Sequence, residues 1–171
     1  NLDCADEPLT FTPWALLTSK SLVRGELPLW NDKSRLGVPF WGNIETAILD
    51  LTGILLAFLD PLTAMNWQRV LRPILGAFFL YLLLRRLGIG CISAMAGGGI
   101  FASSGFMTAW TCHPVGGAAA LMPLILWLTD RWMRLGRRID FFWLALGVFA
   151  EIATGHPETA LKVFSVAFVF A

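Results

Sequence analysis

Charge is scarce in this 171-residue chain. Asp, Glu, Lys and Arg make up only 15 % of it, against about a quarter of an ordinary soluble domain, and none stands between Leu87 and Thr129. That scarcity excludes a disordered tail, a coiled coil and an ordinary soluble enzyme. Tyrosine occurs once and histidine twice, at His113 and His156. The three cysteines (Cys4, Cys91, Cys112) lack the spacing of a metal site; Cys4 and Cys112 can face one compartment and pair, with free buried thiols as the default. Net charge is +1 and no Lys/Arg run is long enough to follow a phosphate backbone, so nucleic acid is not an expected partner. No cofactor is called for, and a divalent metal, although compatible with the chemistry below, is not indicated by the residues.

What is present is apolar. Hydrophobic residues reach 56 % and the mean hydropathy is +0.65. Ten of the 25 charged residues fall in the first 45 positions. The expected fold is all-α: a polytopic transmembrane helix bundle of about four to five spans behind an extracytoplasmic loop region. Residues 1–45 form that loop region, 46–61 an interfacial or re-entrant helix, and 62–171 the transmembrane helices. The chain opens on Asn1 and stops inside the apolar run Val163–Ala171, so it reads as part of a longer polypeptide.

Thr12-Pro13-Trp14 can begin a short amphipathic helix reaching about Val23, since proline suits a first turn. Residues 46–59 are apolar but too short to span, contain Asp50, and end at Asp60-Pro61. The spans are expected at about Trp67–Leu84, with Pro73 as a kink, at Cys91–Trp110, at Val115–Trp132 and at Phe141–Thr154, with a fifth starting near Glu158. In the second, Ala94, Gly98 and Ala102 recur at a spacing that lets another helix approach closely. Gly97-Gly98-Gly99 lacks the Lys-Ser/Thr of a phosphate loop, so close packing is the better reading. The eight Trp residues mostly fall at span ends, as in an aromatic belt.

Alternation puts Arg85 and Arg86 on the same side as Arg131, Arg134, Arg137 and Arg138, and the positive-inside rule makes that side cytoplasmic. Lys20, Arg24, Lys33, Arg35, Arg69 and Arg72 fall on the opposite side and weaken the bias. The outer surface then gathers Asp3, Asp6, Glu7, Glu26, Glu45, His113, Glu151, His156 and Glu158 from three separated segments. Acid–base chemistry needs such convergence, although outward loops are polar in any case. Asp6, seven residues before Pro13, is the first candidate for a base that activates an acceptor hydroxyl, with Asp3 and Glu7 as chemical equals. His113-Pro114 and Gly155-His156-Pro157-Glu158 each close a span, as substrate contacts or as plain loop residues. Glu151 lies inside an apolar segment, where an ionisable group is a functional candidate by default. Glu158 and Lys162 are spaced for an ordinary helix-surface pair. Arg69 and Arg72 can clamp a lipid phosphate or simply snorkel to headgroups.

Taken in order, these motifs resemble a known family. Asp6 with Pro13-Trp14, Gly25-Glu26-Leu27-Pro28-Leu29-Trp30-Asn31, Gly37-Val38-Pro39-Phe40, Leu84-Arg85-Arg86-Leu87-Gly88, Ser104-Gly105-Phe106-Met107, His113-Pro114 and Gly155-His156-Pro157-Glu158-Thr159 are similar to the YfhO family of bacterial membrane proteins. The departures are Asp32 where the family has Pro, and Glu158 where it has Gln. The resemblance implies the N-terminal part of a GT-C-type glycosyltransferase, multi-pass in the bacterial inner membrane, taking a sugar from a polyprenyl-phosphate donor to a cell-envelope acceptor on the outer face. It implies Asp6 as the catalytic base. Arg69, Arg72, His113, Glu151, His156 and Glu158 are the candidate substrate-binding residues, and membrane lipids are partners in either case. The rival class is a non-catalytic subunit packing against other transmembrane subunits of a larger complex. A transporter is a third class, with only Glu151 and Lys162 interrupting the spans and no half-length repeat pair.

Overall fold

The computed structural model describes residues 7–34 and 36–171. Asp3, Cys4, Asp6 and Arg35 lie outside the described residues, so the Asp6 base and the Cys4–Cys112 pairing belong to the sequence alone. Helices account for 74 % of the chain, which makes the fold all-α. A π-turn at Glu7–Phe11 leads into α1 (Thr12–Val23), whose Pro13 sits in the first turn as expected. A two-residue antiparallel pairing follows, β1 (Trp30–Asn31) against β2 (Val38–Pro39), too brief for its side-chain pattern to show in the sequence.

Residues 46–59 depart from the expected interfacial helix. They form two 3-10 turns, Ile44–Thr46 and Gly53–Ala57, around an irregular bend. Asp50 explains the break. Its carboxylate accepts from the backbone N–H and the hydroxyl of Thr52, a local alternative to helical hydrogen bonding, and Ala47 adopts a left-handed φ of 49°.

The long helices begin at α2 (Pro61–Arg86), with Asp60 as N-cap accepting from the Thr63 N–H. Those Thr63 hydrogen bonds hold the Asp60 carboxyl below the usual carboxylate range. The helix runs unbroken through Pro73. The expected second span is two helices, α3 (Cys91–Ala102) and α4 (Gly105–Trp110). Serines divide them: the Ser103 hydroxyl donates back to the Gly99 carbonyl, while Ser104 caps the new helix by accepting from the Met107 N–H. Then come α5 (Pro114–Leu135), α6 (Arg138–Ala153) and α7 (Pro157–Phe170). Gly136, at φ 60°, closes the turn between α5 and α6.

Helix α5 is the centre of the bundle, packed by α2, α6 and α7. Small residues set the approach. A Cβ on Gly98 would stand 2.6 Å from the Ala77 carbonyl oxygen, and one on Gly76 would stand 3.3 Å from Ala120 Cα. Gly147 of α6 meets Leu128 and Ile125 of α5, and Ile125 also packs on Val163 and Ala167 of α7. Polar pairs then fix the two ends. Arg72 meets Asp50 and the carbonyls before α5 at one end; Arg86 meets Asp130, and Arg131 meets Asp140, at the other.

Among the described residues one helix, α2, is long and apolar enough to cross a membrane. Helix α3 is apolar but only 12 residues, α6 has 16 and α7 has 14, all below the roughly 20 of a straight span. Around a core that includes Met107, Ile125 and Val163, large apolar side chains such as Phe78, Ile92, Phe141 and Phe149 are exposed, while Arg72, Asp130, Asp140 and Glu151 are buried.

Gly98→Val should destabilise the bundle by about 1–3 kcal/mol, because α3 must retreat from the Ala77 carbonyl. Gly99→Ala, built into open space, should be neutral. Unfolding in detergent checks both; a Gly98→Val chain as stable as wild type would contradict the close approach.

Candidate functional site

Chemistry-bearing side chains gather at the end where α2 and α5 begin. Arg72 is buried three turns into α2. Its Nη2 lies 3.4 Å from Asp50 Oδ2, and its Nη1 donates to the carbonyls of Thr111 at 2.8 Å and His113 at 3.1 Å. Those carbonyls belong to the turn between α4 and α5, so a single guanidinium ties three segments together. Gly117 packs against the pair, where a Cβ would make ordinary contacts of 3.5–3.6 Å with Arg72 Nε, Asp50 Oδ1 and Thr154. Gln68, one turn before Arg72, donates to the Thr52 carbonyl and holds the same bend.

A small recess of mixed character, about 60 Å³, opens beside this pair, walled by the polar Thr18, Glu45, Gln68 and Arg72 and by the apolar Phe11, Leu56 and Met65, with Thr46 and Ala47 on one side. Beside it runs a larger apolar trough of about 320 Å³ between the loop Trp41–Leu49 and the Phe149–Ala153 stretch of α6. Thr46 and Ala47 wall both cavities. The shared wall is held down by Gly155, whose φ of 89° and lack of a Cβ admit the Ile44 carbonyl, which a side chain there would meet at 2.6 Å.

The two histidines, 43 positions apart in sequence, stand together at this end with ring centroids 6.1 Å apart. His113 is packed edge-on by Phe11 at 4.9 Å and Trp110 at 5.4 Å. His156 caps α7: its Nδ1 accepts from the Thr159 N–H at 3.2 Å and lies 2.8 Å from the Thr159 hydroxyl. That hydrogen bond assigns the neutral-ring proton to Nε2, the atom turned away from the cap.

The remaining candidates divide. Arg69, half-buried one turn before Arg72, donates to Asn66 Oδ1 at 2.7 Å. Glu158 is exposed and paired with Lys162 at 2.6 Å, the helix-surface pair its spacing allows. Glu151 is fully buried on α6, and neither carboxylate oxygen has a hydrogen-bond partner among the described residues. Asp50 is the residue that sequence reasoning underused. It interrupts an apolar run just as Glu151 does, and the same rule about ionisable groups in apolar segments singles it out. Asp130 has one partner that local spacing offers, Arg134 four positions on at 2.6 Å, but its second, Arg86, lies 44 positions away, and Asp140 meets Arg131 nine positions away, pairs that no local spacing announces. Among the described residues, no group of three or more His, Cys, Asp or Glu is placed to hold a metal ion.

No family model, curated protein or solved structure matches the chain.

Two outcomes follow from the buried charges. Arg72→Met should cost about 3–5 kcal/mol by leaving Asp50 buried and unpaired, and Arg72→Met with Asp50→Leu should recover most of that loss; equal losses in single and double variants would show that the carbonyl contacts, not the ion pair, dominate. Glu151→Met should leave detergent stability unchanged or raise it, because no hydrogen bond is lost. A drop of several degrees in Tm would reveal a structural partner for this carboxyl.

Proposed function

We propose that the chain is the membrane-embedded part of a GT-C-type transferase, akin to the YfhO proteins its motifs resemble, which moves a sugar from a polyprenyl-phosphate donor to a cell-envelope acceptor. In this reading it crosses the bacterial inner membrane four to five times, with the recess on the outer side. The observation that carries the proposal is the shared wall at Thr46 and Ala47, where an apolar trough meets a recess that presents Thr18, Glu45 and Gln68. A lipid-linked sugar needs an apolar wall for its isoprenoid chain and polar groups for its headgroup; the recess, at about 60 Å³, takes only part of that headgroup, and the sugar stands outside it. The apolar helix exteriors and buried charges support the membrane setting.

The chemistry is a single displacement. Asp6 takes the proton of the acceptor hydroxyl, whose oxygen attacks the anomeric carbon from the face opposite the phosphate. The carbon–oxygen bond to phosphate breaks, the phosphate departs with the electron pair, and the anomeric configuration inverts. Arg69 supplies charge for the leaving phosphate. Arg72 acts through the recess it builds, since its own charge is met by Asp50. His113, His156 and Glu158 contact the sugar from outside the recess, since none of the three walls it or the adjoining trough.

A second reading is favoured by one observation: Arg72 and Glu158 are already paired within the chain. A non-catalytic subunit of a larger membrane complex needs its polar groups for packing alone. Sugar transfer from a polyprenyl-phosphate donor in membranes carrying the protein separates the two. Asp6→Asn should lower the rate by about 10²-fold or more, the scale of a lost general base, with the chain still inserted. Undiminished transfer removes Asp6 from the mechanism, and no transfer by the wild type favours the subunit.

A further inference from the structure

The opposite end of the bundle carries a feature that glycosyl transfer does not use. Along the outside of α5 and α6 runs an apolar trough of about 310 Å³, lined by Leu124, Trp127 and Leu128 of α5 and by Trp143 and Leu146 of α6. Leu51 closes one end and Arg131 the other. We propose that this trough binds one acyl chain of an anionic phospholipid, with the lipid phosphate on Arg131.

Three observations converge on that occupant. First, Arg131 is fixed rather than free to sweep: its Nε is bonded to the fully buried Asp140 and its guanidinium stacks 5.5 Å from the Trp127 ring centre. No other hydrogen bond of this guanidinium is made among the described residues, and about a third of the side chain, 32 %, is exposed. The terminal nitrogens are therefore presented at the mouth of the trough as a pre-set donor fork for a phosphate. Second, the charge around it has one sign. Arg85, Arg86, Arg131, Arg134, Arg137 and Arg138 share this end with only Asp130 and Asp140, a surplus of four positive charges, and Arg85, Arg134, Arg137 and Arg138 are exposed. That surplus favours an anionic headgroup over a zwitterionic one. Third, the dimensions agree. From Leu124 to Arg131 the trough rises about 10 Å along the helix, within one leaflet of a hydrocarbon core about 30 Å thick. Trp127 and Trp143 stand toward the arginine end, where indoles favour the interface.

The inference rests on the membrane setting proposed above and not on sugar transfer. It is tested with the chain in phosphatidylcholine liposomes containing a minor fraction of brominated phosphatidylglycerol, or the same fraction of brominated phosphatidylcholine. The readout is tryptophan emission. The trough's share is the difference between the chain and its Trp127→Phe/Trp143→Phe variant. Brominated phosphatidylglycerol should quench that share roughly fivefold more effectively than brominated phosphatidylcholine, the enrichment expected from about one well-placed arginine. Arg131→Gln with Asp140→Asn removes both charges together, so no lone carboxylate is left buried, and should bring the ratio close to one. Ala150→Phe, which fills the trough, should lower quenching by both lipids. Equal quenching by the two lipids in the wild type would overturn the site and leave ordinary surrounding lipid. Quenching of other tryptophans but not of this pair would mean that protein covers the trough, which also overturns it. No quenching of any tryptophan would instead defeat the membrane setting itself.

Discussion

Arg72 is the contact on which one end of the molecule depends. It is placed on α2 by helix geometry alone, but its guanidinium answers to three segments: Asp50 in the irregular bend and the carbonyls of Thr111 and His113 ahead of α5. A cation buried to this degree is costly unless it is both paired and hydrogen-bonded, so the bend must deliver a carboxylate and the α4–α5 turn must deliver oxygens. The bend obliges by using Asp50 twice, once toward Arg72 and once toward Thr52. The failure of residues 46–59 to become a helix is thus part of the arrangement rather than an accident of length. A regular helix gives no carboxylate the freedom to bond its own backbone two residues on while facing another element.

That local order propagates to the recess and the trough beside it. Thr46 and Ala47 stand where they do because Ala47 turns the chain in a left-handed conformation and Gly155 lets the Ile44 carbonyl settle against the α6–α7 turn. The same turn carries His156, and the turn bonded to Arg72 carries His113. The meeting of the two histidines is therefore a consequence of how two helix ends are tied down, and their shared location needs no direct bond between the rings. Helix α5 makes this possible, because Gly116 at its start leaves room for the Trp110 carbonyl, which a Cβ there would meet at 2.1 Å.

Much of the helical layout was legible in the sequence because apolar runs ended at proline, glycine and charge. The starts of α1, α5 and α7 each follow from a proline in the first turn, and the small-residue spacing at Ala94, Gly98 and Ala102 admits a close helix neighbour, which at Gly98 is Ala77 of α2. Three things were not legible. Ser103 and Ser104 divide an apolar run without lowering its hydropathy much, so hydropathy reads one span where hydrogen bonding makes two helices. Asp50 breaks a segment that apolar content alone reads as helix. The ion pairs between elements depend on which helix faces are turned together, and this is set by packing across nine to 44 positions rather than by local pattern. For the site, convergence of His113 and His156 followed from counting spans, whereas the commitment of Arg72 to Asp50 could not.

The buried carboxylates separate stability from function. Among the described residues Asp50, Asp130 and Asp140 are buried and each meets an arginine. Each pair joins separate elements of the bundle, so a structural role accounts for all three. Glu151 is just as buried and meets none. It sits on the same face of α6 as Asp140 and Gly147, turned toward α5, and a leucine or methionine there would satisfy that packing without stranding two oxygens. An unpartnered polar group in an apolar setting carries a cost that a bound water or ion, or a functional role, can offset. Helix α6 also supplies Phe149, Ile152 and Ala153 to the apolar trough that adjoins the recess. A carboxyl one turn from Gly155, on the helix that walls the proposed donor site, is therefore the side chain for which function offers an explanation and packing offers none.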